Sequence, residues 1–185
     1  MQSYRESRGV RRLVRWTAAR RPMARLFARI QQPLDERVYR LTGGRTMLSS
    51  WLSGIEVSML TTTGARTGEP RTLPVLALPD GDDLILIASN FGRPRHPSWY
   101  HNLRVNPHAR LVTAGVRREV VAHELSGGER ERWYARAEEI FPPFSQYPGW
   151  AGEREIPVLR LQASDAPPRA ARARPGAIGL LVSRP

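Results

Sequence analysis

The stretch TTTGARTGEPR, residues 61–71, places two arginines in a tight turn that follows a run of threonines. Arg66 and Arg71 carry planar cations that can bind carboxylate or phosphate groups with paired hydrogen bonds. The stretch lacks the G-x-G-x-x-G and G-x-x-x-x-G-K-[ST] spacings that usually cradle phosphates. Taken alone, it is more typical of a hairpin turn with solvated charges, because Gly and Pro mark turns more often than sites.

The composition narrows the catalysis that the side chains could perform alone. The chain has no Cys, and all 29 of its basic residues are Arg, which excludes thiol nucleophiles, Cys-ligated metals and a Schiff-base lysine. Arg stays protonated near neutral pH and cannot act as a general base. The four histidines show no metal-ligand spacing, and no serine lies in a G-x-S-x-G motif. The sequence therefore predicts no metal site and no active site built from protein groups alone.

Three separate pieces of the sequence together suggest a bound redox cofactor. They are the turn with Arg66 and Arg71, the pair Ser89-Asn90 at a strand end, and FGRPRHPSWYHN at residues 91–102. They offer guanidinium groups for an oligoanion, small hydrogen-bonding groups, and aromatic surface for a flat ring. A cofactor with an acidic tail and a planar head would account for all three, and it would supply the hydride chemistry that the side chains lack.

The apolar pattern changes from helical to strand-like near residue 56. Strands are predicted at EVSMLTTT, TLPVLAL, LILIAS, ARLVTAG, VRREVVAHEL and EIPVLRL. Helices are predicted at WYHNLRVN and at GERERWYARAEEI, the second opened by a capping box of Ser126 and Glu129, whereas FPPFSQYPGW is interpreted as an aromatic loop. Because closure removes exposed sheet edges, we expect a mainly β (α+β) fold, a split β-barrel of about six antiparallel strands with flanking helices.

The net charge of +12 is concentrated at the two ends of the chain. Residues 1–45 carry +9 and residues 163–185 carry +3, while residues 46–162 are neutral, which argues against a specific nucleic-acid partner. We expect a basic amphipathic helical extension at 1–45, a barrel domain at 46–162, and an Arg/Pro/Ala-rich, disordered tail at 163–185.

The extension admits two interpretations that the sequence leaves open. Its helix could pack on the barrel, or it could lie in the headgroup region of an acidic membrane surface. No segment approaches the roughly 18 apolar residues that span a bilayer, and the N-terminus does not resemble a signal peptide. We therefore expect a cytoplasmic protein, attached peripherally to the inner face of the cell membrane under the second interpretation.

Five separated motifs occur in order along the chain: LTTTGARTGEPRTLPV, IASNFG, HPSWYHNLRVNP, FPPFSQYPGW and REIPVLRL. In this order and spacing, the sequence resembles the deazaflavin (F420)-dependent nitroreductase and F420H2-dependent quinone reductase family over residues 35–162. The resemblance implies a split-barrel oxidoreductase that uses coenzyme F420, an 8-hydroxy-5-deazaflavin. Such an enzyme would transfer a hydride from the reduced cofactor to a quinone, an enone or a nitroaromatic compound.

The resemblance also implies a set of site residues. The phosphate and oligoglutamate tail of the cofactor would lie against the turn, at Ala65, Arg66, Thr67 and Arg71. The ring would meet residues from one strand, the end of the next and a short helix: Thr72, Leu73, Pro74, Val75, Leu76, Ile87, Ala88, Ser89, Asn90, Ser98, Trp99, Tyr100, His101 and Asn102. The acceptor would lie against the aromatic segment, at Phe141, Phe144, Tyr147 and Trp150. Ser89 and Tyr147 are the candidate catalytic residues, Ser89 for the developing oxyanion and either one as a proton source.

The aromatic segment departs from the pattern of the nitroreductase members. Phe141 and Phe144 stand where those members carry tyrosines, and phenylalanine cannot donate a hydrogen bond. We therefore expect weak nitroreduction and better tolerance of a quinone or enone. Several alternatives remain open: plain packing of the aromatic segment, FMN in place of F420 in the same barrel, and a non-catalytic protein that binds F420 or a membrane surface.

Overall fold

The computed structural model describes residues 57–164 together with Val38. Residues 57–164 contain six strands: β1 (Val57–Thr63), β2 (Pro70–Asp80), β3 (Asp83–Ile87), β4 (His108–Thr113), β5 (Val116–Leu125) and β6 (Val158–Ala163). They also contain three helices, α1 (Ser98–Val105), α2 (Gly127–Ile140) and α3 (Tyr147–Ala151), and two 3-10 turns at Asn90–Gly92 and Pro142–Gln146. The predicted N-terminal helix, apart from Val38, and nearly all of the predicted tail lie outside the described residues, so the domain limits remain a prediction.

The six strands form a closed antiparallel barrel in the order β1-β2-β3-β6-β5-β4, and β4 pairs with β1 to complete it. This confirms the predicted fold class. Tight turns set the register of two hairpins: β2 and β3 are joined across Gly81-Asp82, and β4 and β5 across Ala114-Gly115. Both residues of the second turn have positive φ, 48° and 82°, which matches the right-handed twist of the strands that it joins.

Side chains alternate between the barrel interior and its outer surface, as strand geometry requires. The interior residues come from all six strands and from α1: Leu60, Val75, Ala77, Leu86, Ala88, Trp99, Tyr100, Leu103, Ala109, Leu111, Val120, Leu159 and Leu161. A second cluster packs α2, α3 and the turn between them onto the outer face of β3 and β6: Leu78, Ile85, Ile87, Leu125, Tyr134, Ala137, Phe144, Tyr147, Ala151, Ile156 and Val158.

The start of α2 differs from the prediction. Ser126 is the N-cap residue, but its side chain forms no capping hydrogen bond, so the predicted capping box is wrong. The Glu129 carboxylate instead accepts a bond of 2.7 Å from Arg160, which also contacts Asp80 at 2.9 Å and Asp83 at 3.1 Å. An ion pair to the outer face of β6 therefore replaces the local cap.

The aromatic segment is helical rather than a loop. Pro142 and Pro143 begin a 3-10 turn, and Pro148 lies in the first turn of α3. Proline suits these positions because the first N–H groups of a helix have no partner inside the helix.

Within residues 57–164, no helix combines the length and the apolar content that crossing a bilayer requires.

Candidate functional site

The arginine bend, which we define as residues 64–71, is closed by its own backbone. The Gly64 N–H donates to the Glu69 carbonyl and the Gly68 N–H donates to the Gly64 carbonyl, both at 2.8 Å. A Cβ at position 64 would lie 3.0 Å from the Thr67 hydroxyl oxygen and 3.1 Å from the Glu69 carbonyl, so a larger residue there would require these neighbours to shift. The bend therefore has one compact shape that does not depend on its charged side chains.

Asn102 fixes the arginine bend to α1. Its Oδ1 accepts the Ala65 N–H at 2.9 Å, and its Nδ2 donates to the Thr62 hydroxyl at 2.9 Å. The residue is buried, with 8% exposure; its bond to Thr62 is shielded from water, and its bond to Ala65 is partly shielded. Asn102 thus fixes the bend to α1, and the Ala65 N–H is already bonded to the Asn102 side chain. Among the described residues, the N–H groups of Arg66 and Thr67 have no partner and remain available to an anion.

The charges of the bend point into solvent. Arg66 and Arg71 are both exposed, and Arg71 donates to Glu69 at 2.8 Å. The side chains of that pair are 58% and 65% exposed, so the pair contributes little stability and an incoming anion can compete for Arg71.

The Ser89 loop, which we define as residues 88–96, has an unusual backbone. Asn90, Phe91 and Gly92 follow one another with φ of 48°, 55° and 67°, in the left-handed region. This conformation costs about 1–2 kcal/mol for a residue with a Cβ, and a bulky side chain such as that of Phe91 rarely adopts it. A Cβ at Gly92 would lie 2.9 Å from Cβ of Trp150 and 3.1 Å from the Tyr147 carbonyl, so the loop packs tightly on α3.

One arginine outside the loop binds its carbonyl oxygens. Arg154 donates to the carbonyls of Ala88 at 3.2 Å, Ser89 at 2.7 Å and Arg93 at 3.0 Å. Arg154 was not among the predicted site residues, although it opens the REIPVLRL motif between two acidic neighbours. Its contacts span about 60 positions along the chain, and no local pattern encodes them.

Helix α1 adjoins both segments. His96 of the loop packs on Tyr100 with ring centroids 4.9 Å apart, and Asn102 holds the bend. The Tyr100 hydroxyl donates to the Glu124 carboxylate at 3.0 Å. Burial, and then this hydrogen bond, raise the pKa of Tyr100, while burial followed by the charges of Arg154 and His101 lowers the pKa of His96 below 6.5. His96 is therefore mainly neutral at neutral pH, and Tyr100 is protonated.

The residues predicted to meet a ring do not share one surface. On β2, Val75 points into the barrel and Leu76 packs against the outer cluster, while Thr72 is exposed. Leu73 and Pro74 are half-buried, Ile87 belongs to the outer cluster, and Ala88 and Trp99 are in the interior. Of the predicted positions, Thr72, Ser98 and His101 are exposed, and Ser89 and Asn90 are half-buried like Leu73, Pro74 and Leu76.

The aromatic segment contributes mostly to packing. Phe144 and Tyr147 are 4% and 2% exposed, in edge-to-face contact with centroids 5.6 Å apart, while Phe141 and Trp150 are half-exposed. Burial, followed by the proximity of Tyr134, strongly raises the pKa of Tyr147, which makes it a poor proton donor.

Within residues 57–164, no group of His, Asp or Glu could hold a metal ion.

Comparison with known proteins agrees with this architecture. The sequence profile of the family described as F420H(2)-dependent quinone reductase matches residues 32–162. An F420H(2)-dependent quinone reductase of Mycobacterium tuberculosis is 37% identical over 108 residues, which cover 58% of this chain and 70% of that protein. A solved F420-H2 dependent reductase, FDR-A, is 34% identical with a TM-score of 0.53, and the match covers 57% of this chain and 93% of that one. A second solved structure, described as a domain-swapped dimer, is 31% identical with a TM-score of 0.55, over 69% of this chain and 95% of that one. The chain therefore belongs to the F420H(2)-dependent quinone reductase family and is an oxidoreductase with coenzyme F420 as its cofactor.

Proposed function

We propose that this protein reduces a quinone with F420H2, and that the cofactor lies along α1 with its tail at the arginine bend and its ring at the Ser89 loop. The observation that carries the proposal is that one short helix contacts both segments: Tyr100 packs on the loop, and Asn102 holds the bend. Residues two positions apart on a helix differ by about 3 Å along its axis. These two side chains project to nearly opposite faces of α1, so a ligand that reaches both segments has to be extended, as a cofactor with a head and a long tail is.

The donor groups of the bend suit an acidic tail. Two guanidinium groups and the N–H groups of Arg66 and Thr67 are accessible, and only Glu69 opposes them in charge. Each charge-assisted hydrogen bond contributes about 1.5–3 kcal/mol. We expect this contribution to weaken with salt, because the arginines are exposed.

The loop and α1 present small polar groups to a ring. The Ser89 hydroxyl forms no hydrogen bond to another described residue, and the Asn90 side-chain N–H donates to the Arg95 carbonyl at 2.8 Å. Asn90 thus shapes the loop, and Ser89 retains a hydroxyl for a ligand. Trp99, the next residue of α1 after Ser98, is buried in the barrel interior.

Reduced F420 supplies the hydride when bound, so the chain has to position the two reactants and exclude water. Hydride transfer to a quinone leaves an oxyanion that must take up a proton. The Ser89 hydroxyl can donate a hydrogen bond to that oxygen, and solvent can deliver the proton. Tyr147 is a weaker candidate because its pKa is raised and it is buried in the outer cluster.

The aromatic segment favours an apolar acceptor. Phe141 and Trp150 are the half-exposed members of that segment, and Phe141 offers no hydrogen-bond donor to a nitro group. We propose a quinone as the main acceptor, an enone as a tolerated one, and a nitroaromatic compound as the poorest.

The test is a fluorescence titration of the purified protein with F420 and with FMN, followed by oxidation of F420H2 in the presence of a panel of quinones, enones and nitroaromatics. We expect tighter binding of F420 than of FMN, and fastest turnover with a quinone. Tighter binding of FMN would refute the cofactor assignment. Binding of F420 without turnover on any acceptor would identify a carrier of the cofactor rather than a reductase.

We also propose that the basic N-terminal segment brings the protein to an acidic membrane surface where lipid-soluble quinones reside. The charge of +9 in residues 1–45 supports this, since each basic residue contributes about 1 kcal/mol at an acidic leaflet. Sedimentation with vesicles of acidic and of neutral lipid tests it. Equal recovery from both kinds of vesicle would remove this part of the proposal.

A further inference from the structure

Three carbonyl groups of the Ser89 loop, those of Ala88, Ser89 and Arg93, converge on one guanidinium. Arg154 lies just before β6, yet its three nitrogens reach Ala88, Ser89 and Arg93, and its Nη1 also lies 3.4 Å from Nδ1 of His96. Carbonyl oxygens that face a common point repel one another, so this arrangement needs a cation between them. The planar fork of arginine provides donors in the required directions, whereas lysine provides a point charge.

The same segment also fixes the other side of Ala88. The Pro157 carbonyl accepts the Ala88 N–H at 2.8 Å, so the residues before β6 contact both backbone groups of Ala88. From there the chain enters the left-handed run at Asn90, Phe91 and Gly92. Strain of this kind persists only where surrounding contacts determine the backbone, and it is common where a loop has to present a fixed shape to a ligand.

The charge environment of Arg154 differs from that of Arg130 and Arg160, which are also half-buried. Arg130 pairs with Glu155 at 2.8 Å, and Arg160 pairs with three carboxylates. Within residues 57–164, Arg154 has no carboxylate within 4.0 Å, and its burial lowers its pKa. A half-buried cation that is paired with neutral groups and with no carboxylate is an expensive way to gain stability.

From this geometry we propose that Arg154 is a positioning residue that sets the shape of the Ser89 loop for the deazaflavin ring. The inference rests on the proposed function, because the loop has to be the surface that meets the ring. Arg154 acts through the carbonyls of Ser89 and its neighbours and touches neither the cofactor nor the acceptor. Its loss should therefore weaken ring binding without affecting the grip of the arginine bend on the tail.

The experiment compares Arg154→Met, Arg154→Lys and the control Arg130→Met with the unsubstituted protein. Arg130 is a suitable control because its side chain is also half-buried and donates to the Ile156 carbonyl at 3.0 Å, in the same segment, but does not contact the loop. The readouts are amide hydrogen exchange of peptides that cover residues 88–96, the thermal midpoint, and the Kd for F420 and for the deazaflavin riboside that lacks the phosphate and glutamate tail.

We expect Arg154→Met to accelerate exchange in residues 88–96 and to raise both Kd values by the same factor, roughly tenfold. Arg154→Lys should lie between this variant and the unsubstituted protein, since an ammonium group can bond only part of the set. Arg130→Met should lower the thermal midpoint but leave loop exchange and both Kd values unchanged. With F420H2 and a quinone, Arg154→Met should lower kcat/KM by about 100-fold, because a displacement of about 1 Å can cost that much.

Each outcome separates this inference from the proposed function. An unsubstituted protein that binds neither ligand would refute the proposed function and this inference with it. Binding by the unsubstituted protein, with loop exchange or ring affinity unchanged in Arg154→Met, would refute the role of Arg154 alone. Equal losses of ring affinity in Arg154→Met and Arg130→Met would also refute it, since both would then act through general stability. Should Arg154→Met fail to fold, the same comparison is made with Arg154→Lys.

Discussion

The arginine bend and the Ser89 loop are both held in fixed shapes, but by opposite means. The bend is closed by its own backbone bonds and by Asn102, and its charged side chains are exposed to solvent. The loop has a strained backbone, and its conformation is determined by contacts from outside the loop, namely the hydrogen bonds of Arg154 and the packing of Gly92 on Trp150. In the bend the side chains are available for binding, whereas in the loop the backbone shape itself is what the fold maintains.

This difference predicts two kinds of response to substitution. Changes to Arg66 or Arg71 should alter ligand affinity and leave the fold intact, because neither side chain packs on the barrel. Changes to the supports of the loop should alter both, because the loop shape and the packing on α3 depend on the same contacts. Binding and stability should thus separate in the bend and remain coupled in the loop.

The largest effect should come from Gly92→Ala. The new Cβ would meet Cβ of Trp150 at 2.9 Å, and φ of 67° disfavours a side chain there. Strain of about 1–2 kcal/mol and overpacking of about 1–3 kcal/mol should lower the free energy of unfolding by about 2–5 kcal/mol, measured by urea denaturation. Ring affinity should fall together with stability.

Gly115→Ala is the matched control for that substitution. Its φ of 82° is also left-handed, but a Cβ there has no atom within 4 Å, so only the strain of about 1–2 kcal/mol remains. Equal losses in the two variants would show that Trp150 does not constrain the loop. A stable Gly92→Ala protein with normal ring affinity would contradict the coupling of the two properties.

The next largest effect concerns the tail. Arg66→Ala and Arg71→Ala should each raise the Kd for F420 by about tenfold or more, because a charge-assisted bond contributes about 1.5–3 kcal/mol. The loss should grow with the length of the glutamate tail and shrink with added salt. Titration of both variants with F420 of short and long tails, at two salt concentrations, measures it.

Arg118→Ala is the control, since Arg118 is an exposed arginine like Arg66 and Arg71 but lies on β5. It should leave the Kd unchanged. The tail-less deazaflavin should bind Arg66→Ala and the unsubstituted protein equally. A loss for the tail-less compound would mean that Arg66 lies near the ring, which would contradict the proposed orientation of the cofactor.

Local signals predicted the elements but not the contacts between them. Alternating apolar residues and the turn at Gly115 are consequences of strand period and backbone sterics, so the strands could be located from the sequence. Barrel closure was predicted from the family resemblance and from the need to cover sheet edges, whereas the pairing order of the strands was not predicted. The predicted capping box of Ser126 and Glu129 was wrong because Glu129 pairs with Arg160, which lies 31 positions away in the sequence.

The candidate site shows the same division. Residues with exposed donors, such as Arg66 and Ser89, could be selected because their type and local setting are visible in the sequence. Arg154 could not, since its three carbonyl partners have no side-chain signature. Tyr147 was selected for its hydroxyl, yet its burial is set by the packing of α2 and α3 on the barrel. Burial of this kind is a tertiary property.

A smaller, pH-dependent effect concerns His96 in the loop. Its pKa is lowered by burial first and by Arg154 and His101 next, with Arg104 acting in the same direction and Glu124 opposing them. The unfolded chain therefore binds a proton before the folded chain does. The stability that neutral His96 contributes is present above the unfolded pKa of about 6.5 and falls as pH decreases towards the folded pKa.

His96→Gln should remove this contribution. Between pH 7.5 and pH 5.5, the urea midpoint of the unsubstituted protein should fall more than that of the variant, while groups common to both cancel in the difference. Identical slopes would show that His96 titrates alike in the folded and unfolded states. Identical slopes would also weaken the contrast with the bend, where we expect substitution of the solvated arginines to leave the stability of the fold unchanged.

The smallest expected effect, and the finest test of the bend, is Glu69→Gln. The Glu69 carboxylate pairs with Arg71 at 2.8 Å and is the one negative charge among the side chains of the bend. The carbonyl and the N–H of Glu69 close the turn, and these bonds do not involve its side chain. Because the pair is exposed and worth about 0.2–1 kcal/mol, its removal should tighten F420 binding by about 1.5- to 5-fold at low salt. Affinity for the tail-less deazaflavin should not change. Weaker binding of F420 would show that Glu69 holds Arg71 in the orientation that receives the tail, and the bend would then resemble the loop, with its shape maintained by a partner rather than left free in solvent.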